Sequence, residues 1–219
     1  MSIKCRVGLG ADIAVLTSPL LLIVTYRLLL DALVSLTSYA WIVCNALYYL
    51  LCLLLVVLLG GAPLNAILNS FRPRITTNRK GKVVTLAIAA FFVFIGASSL
   101  ASNSDLILRY LPQIALFMAV NPFFEELYWR GLLFGKFRER WLASAAYSSV
   151  MFGLFHYLAL QPLMPHLLTP HALVVITVFG FLWAVLYHLS ETLLAPYICH
   201  SISDIVGYLA MSGLPVRIA

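Results

Sequence analysis

The stretch NPFFEELYWRGLLFGKF, residues 121 to 137, decides how the chain is interpreted, because it contains charged residues within an apolar segment. Glu125, Glu126 and Arg130 interrupt a segment that is otherwise apolar enough to cross a lipid bilayer. An ionisable side chain costs about 2.5 kcal/mol or more at the centre of a membrane helix, and is rare there unless it faces a cavity or another such group. The stretch therefore predicts a membrane helix that carries a functional site.

Composition extends this prediction to the whole chain. Of the 219 residues, 63% are hydrophobic and 10% are charged, whereas soluble domains are about 45–50% apolar and about 25% charged. We expect an all-α, polytopic membrane bundle in which residues 1–219 form a single integral membrane domain. The apolar runs predict seven spanning helices, near residues 11–30, 39–59, 83–100, 110–135, 142–160, 171–189 and 192–212.

The basic residues predict the orientation of this bundle. They give a net charge of +6 and fall mainly in three clusters, at residues 4–6, 72–82 and 136–140. Seven spans would place all three clusters on one side, and an excess of Lys and Arg marks cytoplasmic loops. The N-terminus is therefore expected in the cytoplasm. Because topology explains the charge, we expect the lipid bilayer as a partner and no nucleic acid.

The fourth predicted span contains two glutamates in different situations. Glu126 and Arg130 are four residues apart and can pair on one helix face, whereas Glu125 points about 100° away from Glu126. The pair alone could simply tie helices together, but this would leave Glu125 unexplained. An uncompensated carboxylate suits a group that takes up and releases protons. Pro122, just before it, removes a backbone hydrogen bond that neighbours or water must replace.

Two later spans also carry ionisable residues at helical spacing. FGLFH sets Phe152 four residues before His156, and HSISD sets His200 four residues before Asp204. Each could be a packing group or a local hydrogen-bonded pair, but three helices with such groups together predict one polar cavity. Pro196 either breaks the last helix before His200 or simply starts it.

Acids and histidines in a membrane cavity suit hydrolysis by an activated water. The chain has no H-E-x-x-H zinc helix and no G-x-S-x-G nucleophile elbow. Cys199 and His200 are adjacent and point about 100° apart on a helix, which disfavours a cysteine nucleophile. His156, His200 and a carboxylate could instead ligate zinc with an open water position, and this alternative stays open.

The three motifs together resemble those of a known family. EELYWR, FGLFH and HSISD, in this order on three late helices, are similar to the motifs of the CPBP family of CAAX proteases and bacteriocin-processing enzymes. That family includes the type II prenyl endopeptidases. The resemblance covers about residues 121 to 210 and implies a glutamate-dependent intramembrane endopeptidase, with the catalytic helices within residues 110–212.

The resemblance also implies roles for the residues of the motifs. Glu125 and His156 would activate the attacking water, and His200 with Asp204 would stabilise the oxyanion. The prenyl endopeptidases have Asn at the last motif position, so Asp204 would either donate as a neutral acid or orient His200. The expected catalytic set is Glu125, Glu126, His156, His200 and Asp204, with Arg130 and Phe152 shaping the site.

Other expectations follow from the same resemblance. No cofactor is expected, with zinc as the alternative, and the substrate is a membrane-associated peptide or protein. A prenylated C-terminus, a leader peptide and a membrane anchor are all compatible with the motifs. The alternative to an enzyme is a non-catalytic membrane scaffold or immunity protein. Apart from the resemblance, the small size and the absence of an extra soluble domain lead us to expect an integral protein of a prokaryotic cell membrane.

Overall fold

A computed structural model describes residues 9–37, 39–61, 63–73, 79–102, 118–162 and 168–212, and all regular elements among them are helical. The predicted all-α class is therefore confirmed. The helices are α1 (Leu9–Leu33), α2 (Ala40–Gly60), α3 (Leu64–Ser70), α4 (Arg79–Ser102), α5 (described from 118 to 136), α6 (Trp141–Leu160), α7 (Pro170–Ser190) and α8 (Leu194–Ser212). A 3₁₀ turn, Arg138–Arg140, leads into α6. The short helix α3 was not predicted.

Five helical segments in the described part of the chain are long and apolar enough to cross a membrane. They are Leu9–Leu33, Ala40–Gly60, Gly81–Ser102, Arg138–Leu160 and Pro170–Ser190. The other two predicted spans fall on α5 and α8, the helices in which the motif carboxylates and His200 lie. The protein is thus an integral membrane protein, but the predicted number of seven spans is not confirmed.

The helix α5 lies at the centre of the bundle. Its segment from Glu126 to Phe134 contacts α1, α2, α6 and α7, and all nine residues of the segment are buried. Around it, α6 packs along α7, α1 packs against α2 and α6, and α4 packs against α7 and α8. Residues of α5 are therefore within reach of side chains from several other helices.

Residues from two of the basic clusters lie near one another in the described part of the bundle. Lys136 at the end of α5 pairs with Asp12 at the start of α1, with an N–O distance of 3.0 Å. Arg138 pairs with Glu191 at 3.2 Å. The hydroxyl of Thr192, the residue after Glu191, donates to the carbonyl oxygen of Arg72 at 2.8 Å. The first basic cluster lies outside the described residues.

Candidate active site

The first half of α5 is tied to α8 at the position of its proline. Pro122 has no N–H, so the carbonyl of Met118, four residues earlier, lacks its usual helical donor. The hydroxyl of Ser201 on α8 lies 3.0 Å from that carbonyl oxygen. The same hydroxyl lies 2.8 Å from the carbonyl oxygen of Tyr197, so its one hydrogen is shared between its own helix and the freed carbonyl.

Pro196 does not break α8. The helix begins at Leu194, so Pro196 lies in its first turn, where a backbone N–H has no intrahelical partner. The prediction of a break before His200 is therefore wrong, and the alternative, that this proline starts the last helix, is confirmed.

The second half of α5 is a π-helix, from Glu126 to Phe134. In a π-helix the backbone bonds join residues five apart, and such turns are frequent at functional sites. Arg130 Nη1 lies 3.0 Å from Glu126 Oε1, with 0–1% of either side chain exposed. The Glu126–Arg130 pair predicted from the spacing is thus present and fully buried, whereas the π-helix was not predicted.

Arg130 is held on several sides. Its Nη2 donates to the carbonyl oxygen of Gly180 on α7 at 3.1 Å. Its guanidinium carbon lies 4.7 Å from the ring centre of Phe152 and 5.0 Å from that of Trp183. A Cβ at Gly180 would lie 3.2 Å from Nη2, so the absence of a side chain there makes room for the arginine. Phe152 therefore packs against Arg130.

His200 on α8 is anchored by Glu126. Its Nδ1 lies 2.7 Å from Glu126 Oε1, the oxygen that also accepts from Arg130. Because a carboxylate oxygen accepts, Nδ1 carries the hydrogen. The ring stacks on Trp183, with centroids 3.9 Å apart and planes 18° apart. Together these contacts fix the direction of Nε2, which lies 3.3 Å from Glu125 Oε2 and 3.4 Å from Asp204 Oδ1.

Glu125 lies between the two histidines. Its Oε1 accepts from the hydroxyl of Tyr48 on α2 at 3.0 Å and lies 3.9 Å from His156 Nε2. Its Oε2 is the oxygen that faces His200. The Tyr48 hydroxyl accepts in turn from Trp129 Nε1 at 3.1 Å. Neighbours from three other helices therefore surround this carboxylate, whereas the Arg130 contact in its own helix goes to Glu126.

The orientation of His156 follows from its backbone contact. Its Nδ1 lies 2.9 Å from the carbonyl oxygen of Phe152. A carbonyl can only accept, so Nδ1 carries a hydrogen and Nε2 of the neutral ring has a free lone pair. That lone pair is on the atom nearest Glu125 Oε1. Two acceptors thus face each other across a gap that is too long for a direct hydrogen bond.

The site is more open on one side than on the other. Only 1–2% of the Glu125 and His200 side chains is exposed, against 17% of His156 and 16% of Asp204. The side with Glu126 and Arg130 is closed by buried side chains. Among the described residues, the Glu125 carboxylate is therefore flanked by two partly exposed side chains, His156 and Asp204.

Sequence reasoning missed three contributors to the site. Asn121 Nδ2 lies 2.9 Å from Asp204 Oδ2 and 3.3 Å from Glu125 Oε2. Asn121 is four residues before Glu125 on the same helix, and this spacing could have revealed it. Tyr48 and Trp183 lie in apolar runs that gave no such signal.

The metal alternative can be compared with the geometry. Within the described ranges, no group of three or more His, Cys, Asp or Glu side chains is arranged to hold a metal ion. The Nδ1 atoms of His156 and His200 are engaged by a carbonyl and a carboxylate, as described above.

These features define an integral membrane protein with a buried cluster of carboxylates and imidazoles drawn from three helices. Residues 107–206 match the family described as Type II CAAX prenyl endopeptidase Rce1-like. The match covers slightly less than half of the chain, and it confirms the resemblance seen in the motifs. No curated protein and no solved structure matches the chain.

Proposed function

We propose that the protein is an intramembrane endopeptidase that hydrolyses a peptide bond with a water activated by Glu125 and His156. The observation that carries this proposal is the 3.9 Å gap between Glu125 Oε1 and His156 Nε2. A water in this gap donates one hydrogen to each acceptor, which leaves its oxygen lone pairs free to attack a carbonyl carbon. Glu125 takes the proton as general base and returns it to the leaving amine as general acid.

His200 is the group proposed to stabilise the oxyanion. Its Nδ1–H is used by Glu126, so a proton on Nε2 as well makes the ring a cation whose second N–H can donate to the substrate oxygen. The buried position of the ring and its stack on Trp183 support this role, because a fixed donor in a water-poor site needs little reorganisation.

For Asp204, the contacts favour orientation of His200 over donation to the oxyanion. One of its oxygens accepts from Asn121 and the other faces His200 Nε2. Both oxygens are thus placed as acceptors. Glu126 and Arg130 are fully buried and are proposed to hold His200.

The direct test is Glu125→Gln, which keeps the size of the side chain and removes the base. Membrane peptides that accumulate in cells with Glu125→Gln, but not with wild type, identify the substrates by mass spectrometry. On such a peptide, the purified variant should cleave about 10²- to 10⁴-fold more slowly. His156→Ala should be as inactive, and the double variant no worse, because base and partner act as a unit.

The matched control is Glu139→Gln, the same chemical change at an exposed residue outside the site. It should leave cleavage unchanged. If Glu125→Gln cells process all membrane peptides as wild type does, the protease proposal fails and the scaffold alternative replaces it.

Metal removal tests the proposed absence of a metal in the reaction. Purified protein dialysed exhaustively against a chelator should cleave the same peptide at the wild-type rate. Loss of cleavage that added zinc restores would instead assign His156 and His200 as zinc ligands.

A further inference from the structure

The amide of Asn121 joins the two carboxylates that face His200. Its single nitrogen lies within hydrogen-bond distance of Asp204 Oδ2, at 2.9 Å, and of Glu125 Oε2, at 3.3 Å. Asn121 is 6% exposed, so water does not readily replace these contacts. An amide nitrogen has two hydrogens, one for each carboxylate.

The orientation of the amide is set by its surroundings. The opposite atom, Oδ1, accepts from the hydroxyl of Tyr49 on α2 at 3.2 Å. The reverse orientation would point the amide oxygen at two carboxylates, and acceptors would then face acceptors. The Tyr49 ring stacks on Phe124, with centroids 5.2 Å apart, which fixes the position of the hydroxyl.

His200 cannot hold the two carboxylates together during the reaction. Its Nε2 lies near the same two carboxylates, at 3.3 Å and 3.4 Å, but the atom has one hydrogen. While that hydrogen is donated to a substrate oxygen, it is not available to Glu125 and Asp204. Two carboxylates this close repel each other unless another donor holds them. Asn121 is a neutral donor at the required place.

We propose that Asn121 is a positioning residue that holds Glu125 and Asp204 together and so leaves the Nε2 hydrogen of His200 available to the substrate. This inference rests on the proposed function. By holding Oε2 of Glu125, the amide also keeps Oε1 directed at His156. Tyr49 supports it by fixing the amide.

The first experiment compares the kinetics of Asn121→Ala with those of wild type on a peptide that accumulates in Glu125→Gln membranes. Loss of hydrogen bonds to charged groups predicts a kcat about 10- to 100-fold lower, with KM within about 3-fold of wild type. Asn45→Ala is the matched control, because the Asn45 amide donates to a backbone carbonyl of its own helix. It should leave both constants unchanged.

A double-mutant cycle with Asp204→Ala separates positioning from a general loss of packing. If Asn121 acts through Asp204, Asn121→Ala should lower kcat by less than about 3-fold once Asp204 is already alanine. Full multiplication of the two effects would contradict the inference. Tyr49→Phe removes one hydroxyl only and should lower kcat about 3- to 10-fold, so the inference stays testable if Asn121→Ala does not fold.

Failure of this inference differs from failure of the proposed function. If Glu125→Gln abolishes cleavage while Asn121→Ala and Tyr49→Phe keep kcat within about 2-fold of wild type, Asn121 has no positioning role and the protease stands. If no peptide accumulates with Glu125→Gln, the protease proposal itself is wrong and the inference falls with it.

Discussion

Two adjacent glutamates of α5 lie in opposite kinds of surroundings. Glu126 faces a closed region in which Arg130 and His200 share one of its oxygens. Glu125 faces the more open region, where it meets Tyr48 and the imidazole of His156. In the first region one carboxylate oxygen lies between two donors, and in the second a carboxylate oxygen faces an imidazole nitrogen at 3.9 Å. The difference shows that the neighbours, rather than the residue type, distinguish the two glutamates.

The largest stability effect should come from removing the cation of the closed region. Arg130→Met leaves Glu126 buried beside His200 only, and breaking a buried ion pair in this way costs about 3–5 kcal/mol. We expect a clear fall in the thermal unfolding temperature of the purified protein in detergent. Glu125→Gln should leave that temperature nearly unchanged, since the glutamine can still accept from Tyr48.

The double variant Arg130→Met with Glu126→Gln sharpens this prediction. It buries no unpaired arginine or glutamate, so part of the lost stability should return. A double variant less stable than Arg130→Met alone would mean that the closed region does not act as an ion pair.

A smaller effect should follow from crowding the arginine. Gly180→Ala places a methyl group 3.2 Å from Arg130 Nη2 and 3.3 Å from the ring of Phe152. Overpacking of this kind costs about 1–3 kcal/mol, and cleavage should fall as His200 loses its support. Gly207→Ala is the control, because a Cβ there meets nothing within 4 Å. Equal unfolding temperatures for the two variants would show that Gly180 is not needed to seat Arg130.

The smallest effect on stability is expected for an exposed ion pair whose residues, like Glu126 and Arg130, are four apart. Arg27 and Asp31 form an ion pair at 2.8 Å with 43% and 51% of their side chains exposed. Exposed pairs contribute about 0–1 kcal/mol, so Asp31→Asn should hardly change the unfolding temperature or cleavage. A loss as large as that of Arg130→Met would mean that burial does not separate the two pairs.

Local spacing explains what could be predicted from the sequence. The helices and the Glu126–Arg130 pair follow from apolar runs and from the i,i+4 rule, which need no knowledge of other helices. Contacts between helices depend on how each helix is rotated about its axis. A helix that is apolar all round gives no signal for that rotation, so the contacts of Tyr48 and Trp183 were not predictable.

Backbone irregularities escaped prediction for a related reason. A π-helix has no distinctive composition, and ELYWRGLLF reads as an ordinary apolar helix with one ion pair. Pro196 has the same identity whether it breaks a helix or begins one, and only the position of the preceding turn decides. Asn121 is the exception, since its spacing from Glu125 was visible in the sequence.

The π-helix also makes the site sensitive to chain length in a way that substitutions are not. Deleting one residue between Glu126 and Arg130 would set Glu126 three residues and Glu125 four residues before the arginine. Side chains at both spacings are neighbours on an α-helix, so the arginine would then lie beside both carboxylates, the proposed base included. The length of this segment thus keeps the arginine with Glu126 and away from Glu125.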